Sequence, residues 1–306
     1  MKVAVFGGTG FVGNYIIDKL LSSNYKVNVL IRDGSEDKLK SKDKCNVFVG
    51  NINDAKIVEE MIEQSDVIIY NIGIIREFVK KDITFYNLHY KGAKLTIDLA
   101  KKHNIHRYIM MSANGVISDG TDYQRTKYHA EVYLKNNIRD WTIISPSLIF
   151  GDSNGKKEFC SELKKDMLSL PFPAPSFFNG FNIFRAGKFK MSPIHVKNVA
   201  EIFVKSINDS YAFKKNFKLG GTDDLNWIEI IRVISSAYNK KKLIVPAPAI
   251  FIKSIAFFLE KFEWFPITRD QITMLLEGNT CNSEKVFKRY KIDPVKFTSS
   301  ELNYLN

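Results

Sequence analysis

The sequence has few of the features that mark secreted, membrane-spanning or metal-dependent proteins. Among 306 residues there are only three cysteines, Cys45, Cys160 and Cys281, far apart and without metal-ligand spacing. We therefore expect no disulfide framework and no metal site, and a reducing compartment. No apolar run approaches the roughly twenty residues that span a bilayer. The first strand pattern begins at Lys2, so we expect no signal peptide and a cytoplasmic protein, with a peripheral position at the inner face of the membrane left open.

The formal charge of +12 is shared unevenly along the chain. Residues 1–150 contain 21 Lys+Arg and 17 Asp+Glu, whereas residues 151–306 contain 24 and 16. A basic C-terminal half suits an anionic lipid surface or an acidic partner, and a lysine-rich solvated surface explains it as well. No nucleic-acid motif or long basic run is present, so we expect no nucleic acid partner.

Short apolar segments alternate with helical patterns through the first half of the chain. Strands are predicted over residues 3–6, 27–31, 47–49, 67–70, 108–111 and 142–144, and helices over residues 12–21, 55–63, 85–102 and 124–136. Apolar strands spaced by helices predict a Rossmann-type α/β fold, with a doubly wound parallel sheet that binds its ligand at the carboxyl ends of the strands.

Between the first strand and the first helix stand three glycines, Gly7, Gly10 and Gly13, at G-x-x-G-x-x-G spacing. The first permits a sharp turn, the second lets backbone N–H groups reach a diphosphate, and the third lets the helix pack closely. The positive end of the helix would face the phosphates. The segment predicts a dinucleotide site formed by Gly7, Thr9, Gly10, Phe11, Val12 and Gly13.

The ends of the next strands supply candidates for the rest of a dinucleotide. Arg32 follows the second strand, where a guanidinium suits a ribose 2′-phosphate, so NADP(H) is favoured. Asp33 comes next and keeps NAD(H) open. Asn51 and Ile52 lie where an adenine edge would rest, and Asn71, Ile72 and Gly73 lie beside the path to the nicotinamide.

Tyr123 and Lys127 begin a helical segment just after the fifth strand and its loop. Residues four apart share one helical face. An ammonium near the phenol would lower the pKa of the phenol, so that the tyrosine could exchange protons near neutral pH. The alternative is an incidental surface pair.

In this order, GGTGFVG at residues 7–13, Tyr123-x-x-x-Lys127 and ISPSLIFG at residues 144–151 resemble the extended and atypical short-chain dehydrogenase/reductases. Similarity is closer to the branch that contains the NAD(P)H-binding accessory subunit of respiratory complex I and its bacterial relatives. The segments that carry this second similarity are SANGV at 112–116, PIHVKNVA at 193–200, PITRDQ at 266–271 and LLEGN at 275–279.

The resemblance implies further site residues and also reveals departures. It implies that Ser112, Lys127, Pro146 and Leu148 line the cofactor and that Asn87 joins Tyr123 and Lys127 in catalysis. Family enzymes usually carry a catalytic hydroxyl where this chain has Asn114, and often an arginine where it has Ser145. Losing such a donor removes about 3 kcal/mol of transition-state stabilisation.

The resemblance also implies a domain division. Residues 1–151, with 191–221 returning to them, would form the nucleotide-binding domain, and residues 152–190 and 222–306 a smaller substrate or lid region. His195 reads as a structural residue. The aromatic-rich stretch 247–265 is too short and too charged to span a membrane, and it suits either core packing or a membrane or partner surface.

Two functional classes remain open. In one, the protein holds NADP(H) as a stabilising cofactor and docks on a membrane-associated complex. In the other, it is an oxidoreductase or epimerase that acts on a carbonyl or hydroxyl through Tyr123 and Lys127. The sequence identifies no small-molecule substrate.

Overall fold

The computed structural model describes all residues, Met1–Asn306, in two compact units. The first comprises Met1–Pro146, Val196–Leu219 and Lys288–Ile292; the second comprises Ser147–His195, Gly220–Phe287 and Asp293–Asn306. The division of labour implied by the family resemblance, with nucleotide in one part and a lid in the other, stays a prediction.

The chain contains thirteen strands and ten α-helices, several of them very short. The strands are β1 Lys2–Phe6, β2 Lys26–Ile31, β3 Asn46–Val49, β4 Val67–Tyr70, β5 Arg107–Met111, β6 Asp140–Pro146, β7 Ile149–Phe150, β8 Ala174–Phe178, β9 Lys190–Met191, β10 Ile194–His195, β11 Lys215–Leu219, β12 Leu225–Asn226 and β13 Ile244–Pro248. The helices are α1 Phe11–Ser22, α2 Ala55–Glu63, α3 Gly92–Lys102, α4 Asp122–Asn137, α5 Phe159–Leu163, α6 Val196–Ser206, α7 Trp227–Ala237, α8 Ala249–Leu259, α9 Arg269–Glu277 and α10 Glu284–Tyr290.

The first unit is built on a parallel sheet in the order β11-β6-β5-β4-β1-β2-β3. Its central strands β1 and β4 are buried along almost their whole length, as expected for a sheet covered on both faces. The strand order reverses between β1 and β4, so a crevice opens beyond their carboxyl ends. The predicted doubly wound α/β fold is confirmed, and β11 adds a seventh strand beside β6.

The predicted helix over residues 85–102 begins differently from an ordinary helix. Tyr86–Lys91 forms a π-helical turn that leads into α3. The hydroxyl of Tyr70 donates to the Leu88 carbonyl at 2.5 Å, and a side chain at Gly92 would collide with that hydroxyl. The Tyr70 hydroxyl therefore satisfies the hydrogen-bonding capacity of a carbonyl in the π-helical turn. Such turns are common at functional sites.

The second unit is organised around α7 and three two-stranded sheets. The strand pairs are β7 with β10, β8 with β13, and β9 with β12. Trp227, at the start of α7, is buried and donates its indole N–H to the Pro175 carbonyl at 2.9 Å. In the same core His195 packs edge-on against Phe150, with ring centroids 5.0 Å apart.

The basic excess of the C-terminal half belongs mainly to the first unit, contrary to expectation. Segments 196–219 and 288–292 return to that unit and carry eight Lys+Arg against two Asp+Glu. The first unit thus holds 29 basic and 19 acidic residues, and the second holds 16 and 14. None of the helices combines the length and apolar character needed to cross a bilayer.

Candidate nucleotide-binding site

The parallel register brings the ends of β1, β2 and β4 to one edge of the sheet. Phe6 is level with Leu30 on one side and with Tyr70 on the other. The segments that follow these strands contain the glycine turn after β1, Arg32 after β2, and Asn71, Ile72 and Gly73 after β4. The fold therefore places those three segments around the same crevice.

At two of its glycines the glycine turn has no room for a side chain. Gly7 has φ +86°, and a Cβ there would lie 2.8 Å from the Asn71 carbonyl carbon. A Cβ on Gly13 would lie 2.1 Å from the Gly7 carbonyl oxygen. These close approaches account for the first and third glycines, because any side chain would push the turn away from β4 or from its own helix.

The first turn of α1 leaves its backbone N–H groups available to a ligand. Its N-cap is Gly10, which has no side chain to accept from them, and the first turn contains no acidic residue. Thr9 precedes this cap, and Phe11 and Val12 are the first two helical residues. An uncapped helix N-terminus beside a glycine turn suits a diphosphate.

Sequence reasoning missed Asn14, which joins the glycine turn to the loop after β2. The buried Asn14 amide donates to the Gly8 carbonyl at 3.0 Å and to the Lys38 carbonyl at 3.2 Å, while its oxygen accepts from the Lys40 N–H at 3.1 Å. Its position one residue after Gly13 was the available signal. The loop that begins at Arg32 is thereby fixed to the turn.

Arg32 and Asn51 follow β2 and β3, the strands at whose ends the sequence predicts the adenosine half of the ligand. Arg32 is exposed, and its guanidinium has no carboxylate partner within the chain. Asn51 is exposed and its side chain accepts from the Asn53 N–H at 3.2 Å, whereas Ile52 is 5 % exposed and packs in the core. Their contacts with a nucleotide stay predictions.

On the other side of the crevice, Lys127 reaches the segment that follows β4. Its side chain is buried, and the ammonium donates to the Met111 carbonyl at 3.4 Å. A Cβ on Gly73 would lie 3.6 Å from this ammonium. Asn71 donates to the Gly7 carbonyl at 3.4 Å, and Ile72 lines a small cavity together with Lys127. Burial lowers the pKa of Lys127 to about 8.

Tyr123 and Lys127 share one face of α4, as their spacing predicts. The Lys127 ammonium lies 5.6 Å from the centroid of the Tyr123 ring. The expected lowering of the tyrosine pKa is wrong for this structure, because burial of the phenol raises that pKa. Desolvation disfavours the charged form of a buried phenol.

The side chain of Asn87 does not join the tyrosine and the lysine. Its amide donates to an Asp82 carboxylate oxygen at 2.7 Å, near the surface. Two neighbouring rings pack edge-to-face on Tyr123 instead: His89, with ring centroids 5.2 Å apart, and Phe85, at 5.7 Å. Asn87 and His89 both lie within the π-helical turn Tyr86–Lys91, and of the two only His89 is buried.

His89 links the loop after β4 to α4. Its Nε2 accepts from the Ile74 N–H at 3.2 Å, so Nδ1 carries the proton and donates to the Thr126 hydroxyl at 3.2 Å. Burial and the Lys127 charge hold the pKa of His89 well below its usual range. A neutral histidine therefore holds the two segments together, a role that the sequence alone did not reveal.

Ser112 is turned toward another helix residue that sequence reasoning passed over. Its hydroxyl donates to the Glu131 carboxylate at 2.5 Å, and both residues are buried.

Asn114, where family enzymes carry a hydroxyl, donates its backbone N–H to the Pro146 carbonyl at 2.9 Å. Pro146 ends β6, and the Leu148 carbonyl accepts from the Ile194 N–H within the second unit.

Comparison with known proteins places this chain in a family. Residues 7–167, more than half of the chain, match the family model described as NAD(P)H-binding. The 40 kDa subunit of mitochondrial NADH-ubiquinone oxidoreductase from Neurospora crassa is 25% identical over 98% of this chain and 78% of its own length. Subunit 9 of the NADH dehydrogenase 1 alpha subcomplex from Arabidopsis thaliana is 26% identical over 92% of this chain and 69% of its own length.

Solved structures share the fold at low sequence identity. UDP-glucose 4-epimerase from Thermotoga maritima covers 100% of this chain and 97% of its own, with a TM-score of 0.72 and 15% identity. The enzyme WbmH from Bordetella bronchiseptica, in complex with NAD+, covers 99% and 96%, with a TM-score of 0.73 and 15% identity. The chain belongs to the NAD(P)H-binding family and is an atypical short-chain dehydrogenase/reductase that binds a nicotinamide dinucleotide.

Proposed function

We propose that the first unit holds NADP(H) as a tightly bound cofactor and that the chain is a nucleotide-carrying component of a membrane-associated assembly. The observation that carries the cofactor proposal is the juxtaposition of the glycine turn, the uncapped start of α1 and the unpaired guanidinium of Arg32. The turn suits a diphosphate and the guanidinium suits the additional 2′-phosphate of NADP(H).

Three features favour holding the cofactor over rapid turnover. Asn114 stands where a family enzyme would place a hydroxyl donor. The hydroxyl of Ser112 is engaged by Glu131, and burial raises the pKa of the Tyr123 phenol, which disfavours its loss of a proton. Each weakens acid–base chemistry on a substrate carbonyl without affecting the turn that binds the diphosphate.

The assembly part of the proposal rests on the relatives and on α8. Two of the relatives are subunits of respiratory NADH dehydrogenases. Helix α8 buries its small residues Ala249 and Ala256, while Phe251 and Phe258 are each 67% exposed. The exposed apolar residues of α8 and of the turn that follows it are here called the α8 aromatic surface. They are Ile250, Phe251, Ile255, Phe257, Phe258, Phe262 and Trp264. An apolar surface of this kind suits docking on a membrane-associated complex or at the lipid interface.

A second candidate is an NAD(P)-dependent oxidoreductase or epimerase. It is favoured by the common helical face of Tyr123 and Lys127. In this role Tyr123 would exchange a proton with a carbonyl or hydroxyl of the substrate, and Lys127 would hold the nicotinamide ribose. Bound nicotinamide would supply the hydride chemistry.

Native mass spectrometry of the protein as purified, followed by release and identification of bound nucleotide, tests the cofactor proposal. We expect NADP(H) to be retained, with no consumption of NADPH during incubation with a panel of carbonyl compounds. Calorimetry on protein freed of nucleotide that detects neither NADPH nor NADH binding would contradict the cofactor site. Sustained NADPH oxidation by a substrate would favour the second candidate.

Flotation with phosphatidylcholine vesicles and with native membranes tests the docking surface. We expect the wild-type chain to float and the double variant Phe251→Ser/Phe258→Ser to lose this binding. Phe172→Ser is the matched control, because Phe172 is 69% exposed in the second unit but lies outside α8. Equal binding by wild type and double variant would refute the proposed surface.

A further inference from the structure

A buried carboxylate lies one helical turn after Lys127. Glu131 is 5% exposed and accepts from the Ser112 hydroxyl at 2.5 Å. On its outer side the ammonium of Lys135 lies 3.2 Å away. Burying a carboxylate is costly unless it is hydrogen-bonded and paired, and here the donors fix the position of the charge.

Lys127 is a buried ammonium that needs such a charge. Its hydrogen bond to the Met111 carbonyl is long, at 3.4 Å, and the side chain is 5% exposed. In these surroundings an uncompensated ammonium readily loses its proton. Glu131 is four positions after Lys127, so their side chains lie on the same face of α4.

The other titratable groups that face Lys127 carry no charge at neutral pH. His89 lies on the π-helical turn, Tyr70 on β4 and Tyr123 on α4 itself. The pKa of the histidine is held well below its usual range, and burial raises the pKa values of both phenols. Glu131 is therefore the group that can offset the positive charge.

We infer that Glu131 is a positioning residue for Lys127, whose carboxylate, fixed by the Ser112 hydroxyl, keeps the ammonium charged for contact with the ribose on the nicotinamide side. The inference rests on the proposed nucleotide site and assigns a role within it. Ser112 then serves the cofactor indirectly, through Glu131, in addition to its predicted position beside it.

The consequence is a pH dependence confined to the nicotinamide half of the ligand. Burial lowers the pKa of Lys127 to about 8, and Glu131 opposes this lowering. The ammonium is present below that pH and is lost as the pH rises through it. Without Glu131 the loss moves to lower pH, so the lysine is uncharged over more of the neutral range.

The test compares NADPH with 2′,5′-ADP, which has the same 2′-phosphate but lacks the nicotinamide ribose. Calorimetry from pH 6 to pH 9 gives the ratio of the two affinities for wild type, Glu131→Gln and Asp98→Asn. Asp98 is the matched control, because it also pairs with a lysine at helical spacing, Lys94 at 2.6 Å, but is more exposed and lies on α3, not on the helix that carries Lys127.

For wild type we expect the NADPH to 2′,5′-ADP ratio to fall through about pH 8. In Glu131→Gln the fall should occur roughly one pH unit lower, which weakens NADPH about fivefold at the wild-type midpoint, because the charged fraction of Lys127 there falls from about one half to about one tenth. The affinity for 2′,5′-ADP should not change, and Asp98→Asn should match wild type. This pattern would support the inference.

An unchanged ratio and midpoint in Glu131→Gln would overturn the inference, as would an equal loss for both ligands, which indicates a structural role. If Glu131→Gln does not fold, Lys127→Gln replaces it, and a ratio that still falls near pH 8 in that variant overturns the inference as well. Failure of wild type to bind 2′,5′-ADP would contradict the NADP(H) assignment on which both proposals rest and so overturn both.

Discussion

Arg32 is expected to decide between the two pyridine coenzymes. We predict that Arg32→Ala weakens NADPH binding by about 10- to 100-fold, because it removes charge-assisted hydrogen bonds to the 2′-phosphate. NADH binding should change little, since that ligand has no such group. Titration calorimetry with both coenzymes measures the difference.

The control for this experiment is Arg139→Ala, which removes an exposed arginine that pairs with Asp140 at 3.0 Å. It should leave both affinities unchanged. Equal losses for NADPH and NADH in Arg32→Ala would remove the assignment of NADP(H) and leave Asp33 as the candidate that recognises the ribose of NAD(H).

Tyr123 separates the two proposed functions. We predict that Tyr123→Phe keeps NADPH affinity within about twofold, because it removes one hydroxyl and leaves the ring against His89. Any reductase or epimerase activity of the wild type should be abolished. The measurement is NADPH affinity together with turnover of the same substrate. Unchanged turnover in Tyr123→Phe would exclude a catalytic role for this residue.

Within the glycine turn, Gly13 is the position where an added side chain would make the closest contact. We predict that Gly13→Ala destabilises the chain by about 1–3 kcal/mol and abolishes nucleotide binding, because the added Cβ would lie 2.1 Å from the Gly7 carbonyl oxygen. Urea unfolding and NADPH titration measure the two effects.

Gly155→Ala provides the comparison for Gly13→Ala. Gly155 lies in the second unit with φ +79° and nothing within 4 Å of an added Cβ. The substitution should cost about 1–2 kcal/mol through backbone strain alone and leave nucleotide affinity intact. If Gly13→Ala also kept full affinity, the turn would not be the diphosphate site.

Helix α8 shows that composition does not determine which face of a helix is buried. Its sequence is apolar on nearly all sides, and core packing and surface exposure were both consistent with it. In the structure Ala249 and Ala256 lie inward and the phenylalanines outward. Small residues permit close packing of the helix on its own unit, which leaves the large apolar side chains for another surface.

The distribution of charge over the whole molecule changes how membrane binding should respond to salt. The second unit, which carries α8, is nearly neutral, with 16 basic and 14 acidic residues. We predict that flotation on phosphatidylcholine vesicles persists at about 0.5 M salt, where electrostatic attraction is strongly screened. Vesicle binding that requires anionic lipid and disappears at this salt concentration would instead assign the interaction to the basic surface of the first unit.

The sequence by itself determined the α/β class and the position of the glycine turn, because both depend on local patterns. Apolar strands separated by helical segments admit few arrangements other than a parallel sheet, and Gly7 and Gly13 have no substitute where backbone approaches backbone. The α4 register of Tyr123 and Lys127 followed from helical spacing alone.

Only the tertiary structure decided which side chains gather around Lys127. The packing of His89, and not Asn87, against Tyr123 joins the turn before α3 to α4, and the pairing of Ser112 with Glu131 joins residues from a strand end and a helix. The balance of charge between the units likewise depends on where segments 196–219 and 288–292 return. These outcomes arise from contacts between residues distant in sequence, which local periodicity does not encode.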